Sequence, residues 1–268
     1  MEKTKSFQSY LQKVASYPEF NNAEIQTKLA RLRSMSVRPI LIGGCGRSGT
    51  SMLLALLSCH PEIAAIDGET QAFCPTGYAK HPVMSSPFQA NIIVDIFMNA
   101  DIPASCTRWC EKTPKNILFT ARILDYLGSG ARFIHMVRDG RDVVTSRRAA
   151  EPDKPHIAPE RWIEDVEAGK PYDNHPQVYV IKYEDLVMNC REILTNLCRF
   201  LELEYSEKFM DYPVTVNMIP YRGMKSLQLR PVDTNSIGRW QDPAYNSLVA
   251  TLMAEPRAQI LLKNYGYM

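Results

Sequence analysis

The chain of 268 residues lacks any apolar run approaching the roughly 20 residues that a bilayer-crossing helix needs; its longest, within MLLALLSC (Met52–Cys59), is far shorter. No membrane span is expected. The first twenty residues, MEKTKSFQSYLQKVASYPEF, interleave charged and apolar side chains and offer no h-region, so no secretory signal is expected either. An excess of basic charge is also missing. With 31 Lys and Arg against 29 Asp and Glu, the net charge is +2, which argues against a general nucleic-acid partner because such proteins displace counterions with a large basic surplus. Any anion site must therefore be local. The seven cysteines form an odd set with no paired C-x-x-C spacing. Even the closest two, Cys106 and Cys110, read as unrelated thiols, so neither a zinc site nor a disulfide framework is expected, and the reducing cytoplasm is the expected compartment. Internal repeats and low-complexity tracts are absent. What remains is an ordinary globular composition, 45% apolar and 22% charged, at a length suited to one domain with insertions.

A more local absence is informative. GGCGRSGTS, Gly43–Ser51, follows the apolar run PILI and leads into MLLALL. Counted from Gly44, it satisfies the first six positions of the phosphate-loop signature, but Thr50 stands where the lysine belongs. A strand turning through glycines into a helix still presents unpaired N–H groups and the positive end of the helix dipole to an anion. What is lost is the point charge that reaches β and γ phosphates, so phosphoryl transfer from ATP is disfavoured. Arg47, Ser48, Thr50 and Ser51 remain as donors around a smaller anion; a tight turn with a hydroxyl helix cap is the bland alternative.

Around this loop the chain alternates strand, turn and helix. PILIG, RFIHMV (Arg132–Val137) and QVYVIK (Gln177–Lys182) read as buried parallel strands. Ile193, Leu194, Leu197, Phe200 and Leu201 form the stripe of a core-facing helix, and Ile25, Leu29 and Leu32 that of a helix in the polar lead-in, residues 1–37. The pattern predicts an α/β fold, a P-loop-like three-layer arrangement with a central parallel sheet flanked by helices and its ligands at the carboxyl ends of the strands. Segments 70–110 and 150–175 lack clear periodicity and are expected to be loops and short helices.

Arg138 follows the second strand, where its side chain faces the ligand crevice and suits a bidentate phosphate contact. Ser146, eight residues on, is expected about two turns into the next helix, where it could join Arg138 on a second anion. Arg141, Arg147 and Arg148 read as solvated helix charges.

Four motifs in order, PILIGGCGRSGTSMLLALLSCHPEI, WCEKTPKN, FIHMVRDGRDVVTSR and VIKYEDLV, resemble the sulfotransferases that use 3′-phosphoadenosine 5′-phosphosulfate (PAPS), and the tyrosylprotein and carbohydrate branches more than the branch acting on phenols and steroids. The resemblance covers residues 38–187, with a weaker match at RPVDTNSIGRW, so that residues 38–268 are expected to form a sulfotransferase domain. It implies that Gly46, Arg47, Ser48, Gly49, Thr50 and Ser51 hold the 5′ phosphosulfate, which has no γ phosphate to reach. It implies that Arg138 and Ser146, with Arg239 of GRW, hold the 3′ phosphate and that Tyr183 of KYEDL lies near adenine. PAPS is then the cosubstrate, adenosine 3′,5′-bisphosphate (PAP) the product, and no metal is required.

Sulfuryl transfer needs a base for the acceptor hydroxyl and cations or dipoles for charge developing on the leaving phosphate. The resemblance assigns the base to Glu69 of AIDGET, the leaving-group contact to Lys112 of CEKTP, and a place near the transferring group to Ser226 of GMKSLQL. Asp67 and His81 stay open as rival bases, and a turn cap is the bland reading of the DGET acids. Taken without the resemblance, Lys112 reads as a surface lysine, while His60 reads as a helix-end cap and His135 as core. The acceptor is a hydroxyl compound of unassigned class. Gln71 stands where the tyrosylprotein branch has an arginine that helps hold acidic peptides, which weighs against peptide tyrosine. A kinase-like phosphate-loop enzyme and a non-catalytic nucleotide-binding protein are the alternative functions, and a homodimer is left open.

Overall fold

The computed structural model describes residues 6–75, 85–148, 151–155, 157–221 and 231–268. His81 and Ser226 lie outside them. The strands, in chain order, are β1 (Ile40–Gly44), β2 (Ile63–Ile66), β3 (Arg108–Lys112), β4 (Arg132–Val137), β5 (Arg147–Arg148), β6 (Glu151–Pro155), β7 (Val178–Lys182) and β8 (Met218–Ile219). Six of them form one sheet in the order β7-β4-β1-β3-β2-β8, and every pair in it is parallel. β5 and β6 pair separately as an antiparallel hairpin.

The helices are α1 (Phe7–Ala15), α2 (Ala23–Met35), α3 (Thr50–Ser58), α4 (Ala90–Asn99), α5 (Thr120–Leu127), α6 (Gly140–Val144), α7 (Pro159–Gly169), α8 (Tyr183–Met188), α9 (Cys190–Leu201), α10 (Asn246–Met253) and α11 (Pro256–Asn264). Alternation along the strands distributes them over both faces. Leu41, Ala64, Trp109 and Phe133 join one core with residues of α1, α2, α4 and α5. Ile40, Ile42, Ala65, Cys110, Ile134 and Met136 join the opposite core with α3 and α9. A third cluster, built on Val137 and Trp162, collects α7, α10 and α11. This is the three-layer architecture expected. The lead-in helices are part of it: Phe7, Leu11, Leu29 and Leu32 are each no more than 1% exposed.

The segment expected to be loops contains a central strand. β3 sits between β1 and β2, and all five of its residues, RWCEK, are buried. Its three charged side chains make it read as surface; Arg108 donates to the Leu201 carbonyl, Glu111 to Lys112 lie at the chemically active end, and Trp109 fills the core. Likewise, α4 and α7 are regular helices of ten and eleven residues where short elements were expected.

Candidate active site at the carboxyl edge of the sheet

Because the sheet is parallel, the carboxyl ends of its strands share one edge, and the strand order arranges what they carry. From one side to the other that edge holds Tyr183 after β7, Arg138 after β4, the glycine loop after β1, Lys112 at the end of β3, and Glu69 three residues beyond β2. At the usual strand separation of about 4.8 Å, the five ends span roughly 19 Å, the reach of an elongated ligand. Residues scattered over more than a hundred positions of sequence thus become one row.

The loop turns through left-handed conformations at Arg47 and Gly49. Gly49 has φ +88°, and a Cβ there would meet the Tyr183 ring at 2.6 Å. Arg47 is also left-handed, at φ +68°, and its carbonyl accepts a 2.9 Å hydrogen bond from Arg138 Nη1. Ser48 is fully buried, and its Oγ has no hydrogen-bond partner. A buried hydroxyl without a partner is costly, and here it sits where α3 begins, with Thr50 buried at the first helical position. The arrangement suits an anion.

Arg138 is only 6% exposed. Besides Arg47 it donates to the Ser236 carbonyl, and its guanidinium stacks over Tyr183 with 4.3 Å to the ring centroid. Its Nε is buried without a partner. Asp142 backs this corner, accepting hydrogen bonds from the Gly238 and Trp240 N–H groups at 2.8 and 3.1 Å; burial pushes its carboxyl up, against the pull of those two donors. The SIGRW segment is therefore anchored beside Arg138 through Ser236, Gly238 and Trp240. Arg239 is the exposed member, its guanidinium bonded to the Tyr245 hydroxyl at 3.1 Å.

Two expectations here are corrected. α6 ends at Val144, so Ser146 stands beyond the helix instead of two turns into it. It is buried, and its hydroxyl donates back to the Asp142 carbonyl at 3.1 Å. Arg141 is not a solvated charge: it forks onto Asp139, donates to the Tyr267 carbonyl and lies 3.9 Å over the Trp240 ring. Arg147 and Arg148 belong to β5, not to a helix.

On the other side of the loop the two residues assigned to chemistry meet. Lys112 Nζ donates to Glu69 Oε1 at 3.0 Å, the lysine side chain being 2% exposed and the glutamate 24%. Lys112 is buried, contrary to the reading of the isolated sequence. Asp67 lies nearer the strand, its N–H bonded to the Ile219 carbonyl at 2.8 Å. His60 is buried in a turn, its Nδ1 accepting from the Glu62 N–H and its Nε2 3.0 Å from the Glu204 carbonyl oxygen. His135 is buried core, 3.0 Å from Asp173.

Sequence reasoning missed the residues that hold this machinery: Glu111, Thr113 and Asn116 beside Lys112, Asp142, and Glu184, which accepts the Asp139 N–H at 3.0 Å. Their signal was present in WCEKTPKN, FIHMVRDGRDVVTSR and KYEDL, the motifs of the residues that were singled out. Among the described residues, no group of three or more His, Cys, Asp or Glu side chains is arranged to hold a metal, and no helix is long and apolar enough to cross a membrane.

A family model described as "Sulfotransferase family" matches residues 82–207. The protein-tyrosine sulfotransferase of Drosophila melanogaster is 25% identical over 239 residues, covering 75% of this chain and 46% of its own length. Protein-tyrosine sulfotransferase 1 of Danio rerio is 23% identical over 240 residues, covering 75% of this chain and 65% of its own. The chain thus spans about half to two thirds of these relatives. The fold is shared with the sulfotransferase domain from the Synechococcus PCC 7002 olefin synthase, at TM-score 0.59 and 18% identity over 86% of this chain and 96% of that one. A sulfotransferase domain from the curacin biosynthetic pathway superposes at 0.55, with 13% identity over 86% and 98%.

Proposed function

We propose that this chain is a sulfotransferase, as its match to the sulfotransferase family model over residues 82–207 supports, and that it transfers a sulfuryl group from PAPS to an acceptor hydroxyl, with Glu69 as general base and Lys112 as the cation at the bond being broken. The observation that carries the reading is the 3.0 Å Lys112–Glu69 pair standing one strand from the loop with the unpartnered Ser48 hydroxyl. The residues fit the donor at both of its anionic ends. Ser48 Oγ and the N–H groups at the start of α3 offer unpaired donors to the 5′ phosphosulfate, and the buried, unpartnered Arg138 Nε marks a second place for an anion, the 3′ phosphate. Tyr183, stacked under Arg138 and against Gly49, closes the nucleoside end.

The donor supplies an activated sulfuryl group whose leaving phosphate gathers charge as the bond breaks. Lys112, at the end of a central strand and almost sealed from water, offers a positive charge that needs no reorganisation to meet it. Glu69, partly exposed beyond the sheet edge, accepts the proton of the acceptor hydroxyl. The acceptor class is a hydroxyl; the curated relatives are named protein-tyrosine sulfotransferases, which puts a tyrosine peptide into the test panel although Gln71 replaces the arginine expected of that branch.

Incubating the protein with sulfur-labelled PAPS and a panel of tyrosine peptides, oligosaccharides and simple phenols tests the proposal. Label transfer to at least one class, together with thermal stabilisation by PAP and not by ATP with Mg²⁺, is the expected result. Stabilisation by ATP–Mg²⁺ with none by PAP would sink it.

A further inference from the structure

The active-site row rests on a carboxylate that the proposed chemistry does not use. Glu111 is fully buried, one residue before Lys112. Its Oε1 accepts the Thr70 hydroxyl at 2.8 Å and the Thr113 hydroxyl at 2.6 Å, and its Oε2 accepts Asn116 Nδ2 at 2.7 Å. Both threonines pass the contact on. Thr113 Oγ1 accepts the Gln71 N–H and Thr70 Oγ1 accepts the Ala72 N–H, each at 3.1 Å. Two hydroxyl relays therefore run from one carboxylate to the backbone immediately after Glu69. Gln71 is held there at φ +55°, a left-handed conformation that a side-chain-bearing residue adopts only under constraint. Burial pushes the Glu111 carboxyl up even against its three hydrogen bonds. A well-packed apolar residue would cost less, so the placement calls for a reason besides stability.

From this geometry, and resting on the sulfotransferase reading above, we infer that Glu111 is a positioning residue: through Thr70 and Thr113 it fixes the turn that carries Glu69 against the strand end that carries Lys112. The acid spans the gap between β2 and β3, so base and cation are set by one buried anchor instead of by separate loops. The Glu111 carboxylate neither touches the donor nor exchanges a proton in the reaction. Its part is to accept, and so to make the two threonine hydroxyls point their lone pairs at the turn's N–H groups. Loss of such alignment costs catalysis steeply, since a displacement of about 1 Å is worth roughly 10²-fold in rate.

Thr113→Val removes one relay while keeping shape, and Thr113→Ser restores the hydroxyl. The expected results for Thr113→Val are faster amide exchange at Gln71 with α3 unchanged, and turnover lowered by roughly 10–10²-fold at unaltered KM for PAPS. Thr113→Ser recovers both. In a Glu69→Gln background Thr113→Val should cause no further loss of turnover, because it acts through Glu69. Glu111→Gln tests whether the anchor acts only as an acceptor and should fold, because Asn116 Oδ1 is buried without a partner and its amide can rotate to accept the new Nε2. The remaining oxygen still accepts both threonines, so exchange at Gln71 and turnover should stay near those of the parent, and an inactive but folded Glu111→Gln would overturn a purely positioning role. Unchanged exchange at Gln71 in Thr113→Val would overturn the relay whether or not the protein transfers sulfuryl groups. Faster exchange with full turnover, or an equal further loss in the Glu69→Gln background, would overturn the positioning role. A protein that transfers nothing to any acceptor would instead sink the sulfotransferase reading, and the positioning role with it.

Discussion

Lys112 Nζ lies 3.0 Å from Glu69 Oε1, and the lysine is the better buried partner. Residues that touch this way act as a unit, and their removals are not additive in catalysis. Glu69→Gln keeps the size and hydrogen-bonding capacity of the side chain but cannot take a proton. Turnover is expected to fall by roughly 10²–10⁴ while affinity for PAP is retained. Lys112→Met keeps the buried stem and should lower turnover too, and the double variant should be no worse than the poorer single one. An active Glu69→Gln alongside a folded, inactive His81→Ala would pass the base role to the histidine. If both remain active, Asp67→Asn is the next variant to measure.

Arg138 makes a second prediction, about discrimination between ligands. Its free Nε and its position one strand from the loop assign it to the 3′ phosphate, so Arg138→Ala should weaken PAP binding by about 1.5–3 kcal/mol, the worth of a charged hydrogen bond. Adenosine 5′-phosphate, which lacks that group, should lose much less. Because the same guanidinium holds the Arg47 and Ser236 carbonyls, Arg138→Lys should fail to restore PAP affinity: a single ammonium does not reproduce the fork. Titration calorimetry with both ligands decides, and equal losses would remove Arg138 from the 3′ site.

What the sequence disclosed and what it concealed have a common physical origin. β1 and β4 announce themselves because their buried runs are almost wholly apolar, β7 because its run is apolar although, at the edge of the sheet, only Val178 and Ile181 are buried, and the glycine loop because the turn after β1 demands glycines. β3 is equally buried but carries Arg108, Glu111 and Lys112. Burial of charge depends on partners far away in sequence, such as Leu201 for Arg108, Thr70 for Glu111 and Glu69 for Lys112, and no local pattern encodes them. The same holds for Ser146: helical spacing extrapolates through Thr145, whereas the chain leaves the helix there and enters the β5–β6 hairpin. Glu69 and Lys112 were legible only through family resemblance, and their mutual contact only through the strand order.

Glycines separate two kinds of strain. At Gly44, φ is +144° and an added Cβ would lie 2.2 Å from the Met136 carbonyl oxygen, on the neighbouring central strand. No side chain can move aside, so Gly44→Ala should abolish cooperative folding. Gly266 has φ +73° with nothing within 4 Å of an added Cβ, and Gly266→Ala should cost only the left-handed backbone, about 1–2 kcal/mol. Thermal denaturation compares them directly; a Gly44→Ala protein that melts like the Gly266→Ala protein would contradict the packing at β1–β4.

The last prediction concerns pH. Asp173 accepts from Tyr265 Oη at 2.7 Å and from Lys170 Nζ at 3.0 Å, and lies 3.0 Å from His135 Nδ1, tying the end of α11 to β4. Burial alone would raise its carboxyl, but the bonds from His135, Tyr265 and Lys170 outweigh that and hold it below the usual carboxylate range. The folded state therefore binds this proton more weakly than the unfolded state. Above the unfolded value, near pH ~4, the carboxylate's contribution to stability is fully present; it is lost as pH falls through the lower folded value. Asp173→Asn leaves the Tyr265 hydroxyl and Lys170 facing an uncharged amide and should cost on the order of 2 kcal/mol at neutral pH. The gap between parent and variant should close on acidification. Urea unfolding of both proteins at pH 7 and at stepwise lower pH measures it, and a gap that stays constant or widens toward acid would refute the assignment.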